Sequence, residues 1–150
     1  MKATSLSIIL GFIVGLILSG VLVDVYSYIK GSIDKIVIAR NISKAEKYVK
    51  DGQYQQAIEI YEKVYAKIKP KKEQNESLFG KVANNLGLSL VENSNALKNA
   101  NNKDLFSSKQ MKYALEMFKE AKDSFTKIKN NELVDQTEQN IKLLEQSQSL

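Results

Sequence analysis

The feature that most constrains this chain is an uncharged run near its beginning. Residues 3–23 contain no charged side chain and are almost wholly apolar from the sixth residue onward. A helix needs roughly 20 such residues to cross the hydrocarbon core of a bilayer. Tyr26 and Tyr28 follow, as aromatic residues do at a membrane interface. The sequence therefore predicts a single-pass transmembrane anchor over residues 1–30, with the membrane contacted through residues 3–29.

Three other N-terminal signals fit the run less well. A cleaved signal peptide has a shorter apolar core of about 7–15 residues and a small-residue cleavage site. The nearest candidate site, Val25-Tyr26-Ser27, is poor and follows too long a run. A lipoprotein signal requires a cysteine, which the chain lacks. A type IV prepilin would have a polar leader before Gly11-Phe12 and a glutamate where Leu16 stands.

Small residues recur at every fourth position of the predicted anchor. On a helix this spacing places them in one slightly drifting stripe. Such stripes let two helix backbones approach closely, and a Gly-x-x-x-Gly pair is the usual centre of the contact. The stripe predicts helix–helix association and a possible homo-oligomer, although glycine and serine are also common in membrane helices in general. Its members are Ala3, Ser7, Gly11, Gly15 and Ser19.

Basic residues lie mainly after the predicted anchor. Lys2 precedes it, whereas Lys30, Lys35 and Arg40 are among the five basic residues that follow within the next 20 positions or so. The positive-inside rule therefore predicts a cell-membrane protein whose soluble part is cytoplasmic. The alternative is an extracytoplasmic soluble part behind an N-in signal anchor, because long domains can translocate regardless of charge.

Composition removes most catalytic chemistry. The chain has no cysteine and no histidine, which excludes thiol nucleophiles, histidine triads and the usual zinc sites. No phosphate loop, dinucleotide fingerprint or metal-binding loop is present. Arg40 is the only arginine, and the lysines alternate with acidic residues, so specific nucleic-acid binding is not expected. We therefore predict no enzyme activity, no catalytic residues, no metal and no cofactor; a hydrolase or transferase has no supporting constellation.

After the anchor, the chain is predicted to be all-α. Residues 31–40 read as a helical linker, and the helix continues to a turn at Asp51-Gly52. A second helix, with apolar residues at helical spacing, runs to about Lys69 and is stopped by Pro70. One proline and seven glycines in 150 residues agree with long helices. Two helices joined by so short a loop form an antiparallel hairpin.

This hairpin resembles a tetratricopeptide repeat, a helix–turn–helix unit of about 34 residues with small and aromatic residues at fixed positions. The first unit spans about residues 41–70, although Asn41 and Lys44 replace the tryptophan and leucine of the pattern. A second unit spans about residues 78–129 and has an insertion of about 15 residues relative to the pattern. The matching positions are Ala45, Tyr48, Gly52, Tyr54, Ala57, Tyr61 and Pro70 in the first unit, and Leu86, Gly87, Ala114 and Phe118 in the second.

The rest of the predicted domain, residues 41–146, is less regular. The polar segment 93–102 reads as a loop or a helix extension, and its composition suggests little packing. A last helix over about residues 132–146 has the polar surface of a terminal cap. The fold class is therefore an anchor followed by a stack of tetratricopeptide-like hairpins with a capping helix. Another all-α bundle is the alternative.

The resemblance also implies a binding surface, because the first helix of each hairpin in this family lines a concave groove that holds a peptide or a helix of a protein partner. Glu46 and Glu92 would oppose an anionic ligand, so a clamp for a C-terminal carboxylate is not expected. We predict a membrane-tethered adaptor or scaffold; the alternative is a structural, self-associating subunit of a membrane complex. The implied groove residues are Ile42, Glu46, Lys50, Lys81, Asn84, Leu88 and Glu92.

Overall fold

The computed structural model describes residues 31–32, 34–99 and 108–148, and its secondary structure over these ranges is helical without a strand. The chain divides into two compact units, Met1–Ala39 and Arg40–Leu150. The all-α prediction is therefore confirmed. The helices are α1 (34–50), α2 (Tyr54–Ile68), a 3₁₀ helix (Lys69–Gln74), α3 (Glu76–Asn99), α4 (Ser108–Lys127) and α5 (Asn131–Gln148).

The described residues of the first unit are helical and leave Ile36 and Val37 largely exposed. The predicted anchor and its stripe of small residues, Ala3 to Ser19, lie outside the described residues. Among the helices that are described, none is both long enough and apolar enough to cross a bilayer.

A tight turn joins α1 to α2 and reverses the chain. Gly52 has φ +69°, a left-handed conformation that glycine adopts without steric cost. The backbone N–H of Gln53 donates to the carbonyl of Tyr48 at 2.8 Å, which satisfies a carbonyl at the end of α1. At the other end of α2, Pro70 lies in the first turn of the 3₁₀ helix. Proline is tolerated there because an N–H in the first turn would have no partner within the helix.

From α2 onward, each helix packs against the next one along the chain. Helices two apart also touch: the Tyr65 hydroxyl of α2 donates to Glu120 of α4 at 2.6 Å, and Asn140 of α5 donates to Asn84 of α3 at 3.4 Å. This packing, first against the neighbour and then against the neighbour's neighbour, is typical of helical-repeat proteins.

The α3–α4 hairpin depends on two glycines. Gly80 faces the ring of Phe125 and Gly87 faces the ring of Phe118, so closely that an added Cβ would lie 2.6 Å and 2.7 Å from the nearest ring carbons. Both glycines and both rings are buried. The two pairs are seven residues apart on each helix, which keeps them on one face. The missing side chains therefore let α3 and α4 lie close together over two turns.

The polar segment after Glu92 is packed only at its beginning. The helix α3 continues to Asn99, so the helix extension is the alternative that holds over the described residues. Asn93 and Ser94 are buried, whereas most of residues 95–98 are exposed. The Ser94 hydroxyl donates to Gln110 of α4 at 3.1 Å, and the Asn93 amide donates to Gln55 of α2 at 3.5 Å. Polar composition had indicated little packing, but paired polar groups between helices can be buried at little cost.

The core consists of small, aliphatic and aromatic side chains at the helix contacts. The last helix, α5, buries Thr137, Ile141 and Leu144 and exposes a mainly polar outer face, although Leu143 is 65% exposed. Residues with at most 1% exposure include Ala45, Ala57, Tyr61, Phe79, Val82, Ala83, Leu86, Ala114, Phe118, Ala121 and Phe125.

Candidate partner-binding groove

An open cavity of about 200 Å³ forms where α1, α2 and α3 meet. Its walls include Val49, which is half-buried, and Leu88, which is 39% exposed despite being a large apolar residue. We call it the first cavity. The lining residues are Glu46, Val49 and Lys50 of α1, Tyr61 of α2, and Asn85, Leu88, Ser89 and Glu92 of α3.

The polar groups at the floor of the first cavity bond to each other. The Asn85 side-chain amide donates to the Tyr61 hydroxyl at 3.4 Å, and the Ser89 hydroxyl donates to the Asn85 carbonyl at 2.8 Å. Burial raises the pKa of Tyr61, the Asn85 hydrogen bond partly offsets this, and nearby Glu46 adds to the rise. The phenol is therefore neutral near pH 7, and the floor suits an apolar side chain better than a charged one.

Three charged side chains surround this apolar opening: Glu46, Lys50 and Glu92, all exposed. Within the ranges that the structure describes, none of them forms an ion pair, either with each other or with another residue. Some carboxylates elsewhere are paired: Glu120 and Asp123 of α4 lie 3.3 Å and 3.0 Å from lysine ammonium groups.

A second cavity, of about 320 Å³, adjoins the first. The two share Leu88 and Glu92, so this stretch of α3 forms a ridge between them. The second cavity is lined by Leu88, Val91, Glu92, Asn95 and Lys98 of α3, Met111 and Phe118 of α4, and Asn140, Leu143 and Leu144 of α5. Together the two cavities form one groove across α1, α3 and α5, and 'the groove' refers to both of them.

The predicted groove residues are partly brought together. Four of them, Glu46, Lys50, Leu88 and Glu92, line the first cavity. The other three, Ile42, Lys81 and Asn84, line neither cavity: Ile42 is half-buried, Lys81 is exposed, and Asn84 accepts a hydrogen bond from Asn140.

Sequence reasoning missed the contribution of α5 because this helix was interpreted only as a cap. Its position in the stack corresponds to the first helix of a third hairpin, which would have pointed to Asn140 and Leu143. Tyr61 was identified only as a position of the repeat pattern, yet it also forms part of the cavity floor.

A polar cluster joins α2 to α4 outside the groove. The Tyr65 hydroxyl accepts a hydrogen bond from Lys69 at 2.9 Å and donates to Glu120 at 2.6 Å. Burial and the bond to Glu120 raise the pKa of Tyr65 to about 12, despite the opposing effect of Lys69. This phenol stays protonated near neutral pH, and its contacts fasten the two helices together rather than activating a nucleophile.

A second group of charges at the same end of the stack is mutually neutralised. Lys72 and Lys127 both contact the Asp123 carboxylate, at 3.0 Å and 3.1 Å, and hydrogen bonds from these lysines lower the pKa of Asp123. In the described ranges, no cluster of three or more histidine, cysteine or acidic residues is suited to hold a metal ion. The groove is therefore the candidate binding surface.

The groove joins an apolar interior to a charged margin, an arrangement that suits a macromolecular ligand presenting apolar side chains. Its lining comes mainly from α1, α3 and α5, with Tyr61 of α2 and with Met111 and Phe118 of α4. No protein-family model, no curated protein and no solved structure matches this chain.

Proposed function

We propose that the chain is a membrane-tethered, tetratricopeptide-like adaptor whose groove binds a protein partner at the membrane. The observation that carries the proposal is the first cavity, which is lined by Glu46, Lys50, Leu88 and Glu92 of the predicted groove. Single exposed apolar residues are common on protein surfaces. Leu88 differs because it lies between two apolar cavities, where a ligand would bury it.

Assignment to the tetratricopeptide class is part of this proposal. It is supported by the antiparallel hairpins, by the left-handed Gly52 at the first turn and by the close contact of Gly87 with Phe118. Small residues where two helices cross are what that repeat requires. In this proposal, the lengthening of α3 to Asn99 takes up part of the insertion.

The membrane tether is proposed from the uncharged run over residues 3–23. Its orientation can be tested with Asn101→Cys, since the natural chain has no cysteine. We expect a membrane-impermeant maleimide to label this variant only after cell lysis, which corresponds to a cytoplasmic stack. Labelling of intact cells would instead mean an extracytoplasmic stack.

The adaptor function can be tested by site-specific photocrosslinking of the full-length chain in its native cells. A photoreactive amino acid at Leu88 should give a defined crosslinked partner, identified by mass spectrometry. The matched control is Ile128, which is equally exposed, 38% against 39%, but lies outside both cavities. Equal crosslinking of the same proteins from both positions would refute partner binding in the groove.

The second candidate is a structural subunit that assembles through its anchor. The five-member stripe of small residues in the sequence favours it. Changing Gly11 and Gly15 to isoleucine would block close helix approach. If this change dissolves an oligomer while the crosslink from Leu88 goes only to another copy of the chain, the structural role is the better description.

A further inference from the structure

The two cavities limit what kind of segment can occupy the groove. They lie on either side of the ridge made by Leu88 and Glu92, so an occupant has to present at least two apolar groups, one for each side. On a helix, residues three or four apart have Cβ atoms about 5–6 Å from each other. A helix with apolar residues at that spacing meets the requirement from a single face.

The groove offers little to an extended peptide. Its walls are helices, whose backbone groups bond within each helix, so no sheet edge is available to pair with a strand. The floor groups Asn85, Ser89 and Tyr61 already bond to one another. An extended backbone would depend on the side-chain amides of Asn95 and Asn140 in the second cavity, whereas a helix satisfies its own backbone groups. The occupant that fits is therefore helical.

The charges around the groove indicate which charge its occupant should carry. Glu46 and Glu92 have no ion-pair partner within the described ranges, and Lys50 is the one cation beside them in the first cavity. Lys98 lines the second cavity, so its ammonium lies on the other side of the ridge. The balance at the first cavity is thus two carboxylates against one ammonium.

On the basis of the proposed function, we propose that the partner is an amphipathic helix whose apolar face is flanked by lysine or arginine. The apolar residues enter the two cavities on either side of Leu88. The basic residues meet Glu46 and Glu92 at the margin. Because the whole chain carries a formal charge of +5, nonspecific attraction would favour an acidic helix. A preference for a basic helix would therefore be a local property of the groove.

Synthetic peptides test this inference on the full-length chain in nanodiscs of zwitterionic phosphatidylcholine, with empty nanodiscs as the blank. Two fluorescent helical peptides share the same leucine positions and differ only in lysine or glutamate beside the apolar face. Affinity is measured by fluorescence anisotropy at low ionic strength. We expect the leucine–lysine peptide to bind about 2- to 10-fold more tightly, as two exposed ion pairs allow.

Charge-reversed variants give the specific control. Glu46→Lys with Glu92→Lys should reverse the preference so that the leucine–glutamate peptide binds better. Glu59→Lys with Glu62→Lys changes the net charge equally on the exposed face of α2 and should preserve the order. Each variant's helix content is checked by circular dichroism. Reversal by both pairs of substitutions would overturn the inference, because the effect would then come from net charge.

Two further results separate failure of the inference from failure of the proposed function. If both peptides bind equally, and Leu88→Ala weakens both while Ile128→Ala does not, the groove binds helices and only the charge preference is wrong. If the leucine–lysine peptide does not bind, or binds equally well to the Leu88→Ala and Ile128→Ala variants, the inferred occupant is wrong. The proposed function is then tested separately by crosslinking, and it holds if Leu88 gives a defined partner that Ile128 does not.

Discussion

The close contact between α3 and α4 predicts that Gly87→Ala destabilises the fold, whereas the same change in an exposed helix stabilises it. In an ordinary exposed helix, replacing glycine with alanine adds about 1 kcal/mol of stability. At Gly87 the new Cβ would lie 2.7, 2.9 and 3.1 Å from three ring carbons of Phe118. Favourable carbon contacts begin near 3.5 Å, so the ring would have to retreat by about 0.8 Å. Phe118 is 1% exposed, so the ring can retreat only by shifting its packed neighbours or by moving toward the second cavity that it lines.

Forcing extra volume into such a contact costs about 1–3 kcal/mol. After subtraction of the helix-propensity gain, Gly87→Ala should lower the free energy of unfolding by about 1 kcal/mol. In a folded unit of this size that corresponds to a melting temperature about 4 °C lower. The measurement is thermal unfolding of the full-length chain in detergent, followed by far-ultraviolet circular dichroism. Gly31→Ala is the control, because its added Cβ would meet nothing within 4 Å and should cost no stability.

A double-mutant cycle isolates the contact itself. Phe118→Leu removes the ring, so Gly87→Ala should lose most of its penalty in that background, with a coupling of about 1 kcal/mol. If Gly87→Ala raises the melting temperature in the otherwise natural chain, the two helices are not as close as the structure has them. An absence of coupling with Phe118→Leu would also refute the explanation, even if the single variant were destabilised.

Three other positions give simpler predictions. Gly52→Ala should cost about 1 kcal/mol, because φ +69° is unfavourable with a Cβ, and Gly52→Asn should cost less; thermal unfolding compares the two. Ser124→Ala should leave stability unchanged or raise it by about 1 kcal/mol in the same assay, because the buried hydroxyl has no hydrogen-bond partner. The pKa of Tyr65 is about 12 in the folded chain, above its ordinary value of 10.0, so folding favours the protonated phenol. This contribution to stability is complete below pH 10 and is lost as the pH rises from 10 through 12. Alkaline unfolding should therefore become less steep in Tyr65→Phe.

The first two helices could be predicted from the sequence because single residues next to their ends stop them. Gly52 supplies the left-handed turn, and Pro70 cannot continue α2, so both breaks follow from single residues. The continuation of α3 past Glu92 has no such cause. There the Ser94 hydroxyl pairs with Gln110, a residue on a different helix that local patterns do not specify.

The groove was only partly predictable for a related reason. The resemblance to the repeat family implied a groove along the first helix of each hairpin, which is why Glu46, Leu88 and Glu92 were found. The relative rotation of the helices decides how far along those helices the cavity extends. Asn84 illustrates the limit, because it is engaged by Asn140 of α5, a tertiary contact that no spacing within α3 encodes.

One ring, that of Phe118, contributes both to the stability of the α3–α4 hairpin and to the shape of the groove. Phe118 packs on Gly87 and also lines the second cavity, whereas Phe125 packs on Gly80 and lines neither of the two cavities. Gly87→Ala and Gly80→Ala should therefore cost similar stability through the same kind of clash. Only Gly87→Ala displaces a ring that a ligand would touch, so it alone should weaken binding of the leucine–lysine peptide. Equal loss of binding in both variants, measured by anisotropy well below their melting temperatures, would mean that the second cavity does not take part in recognition.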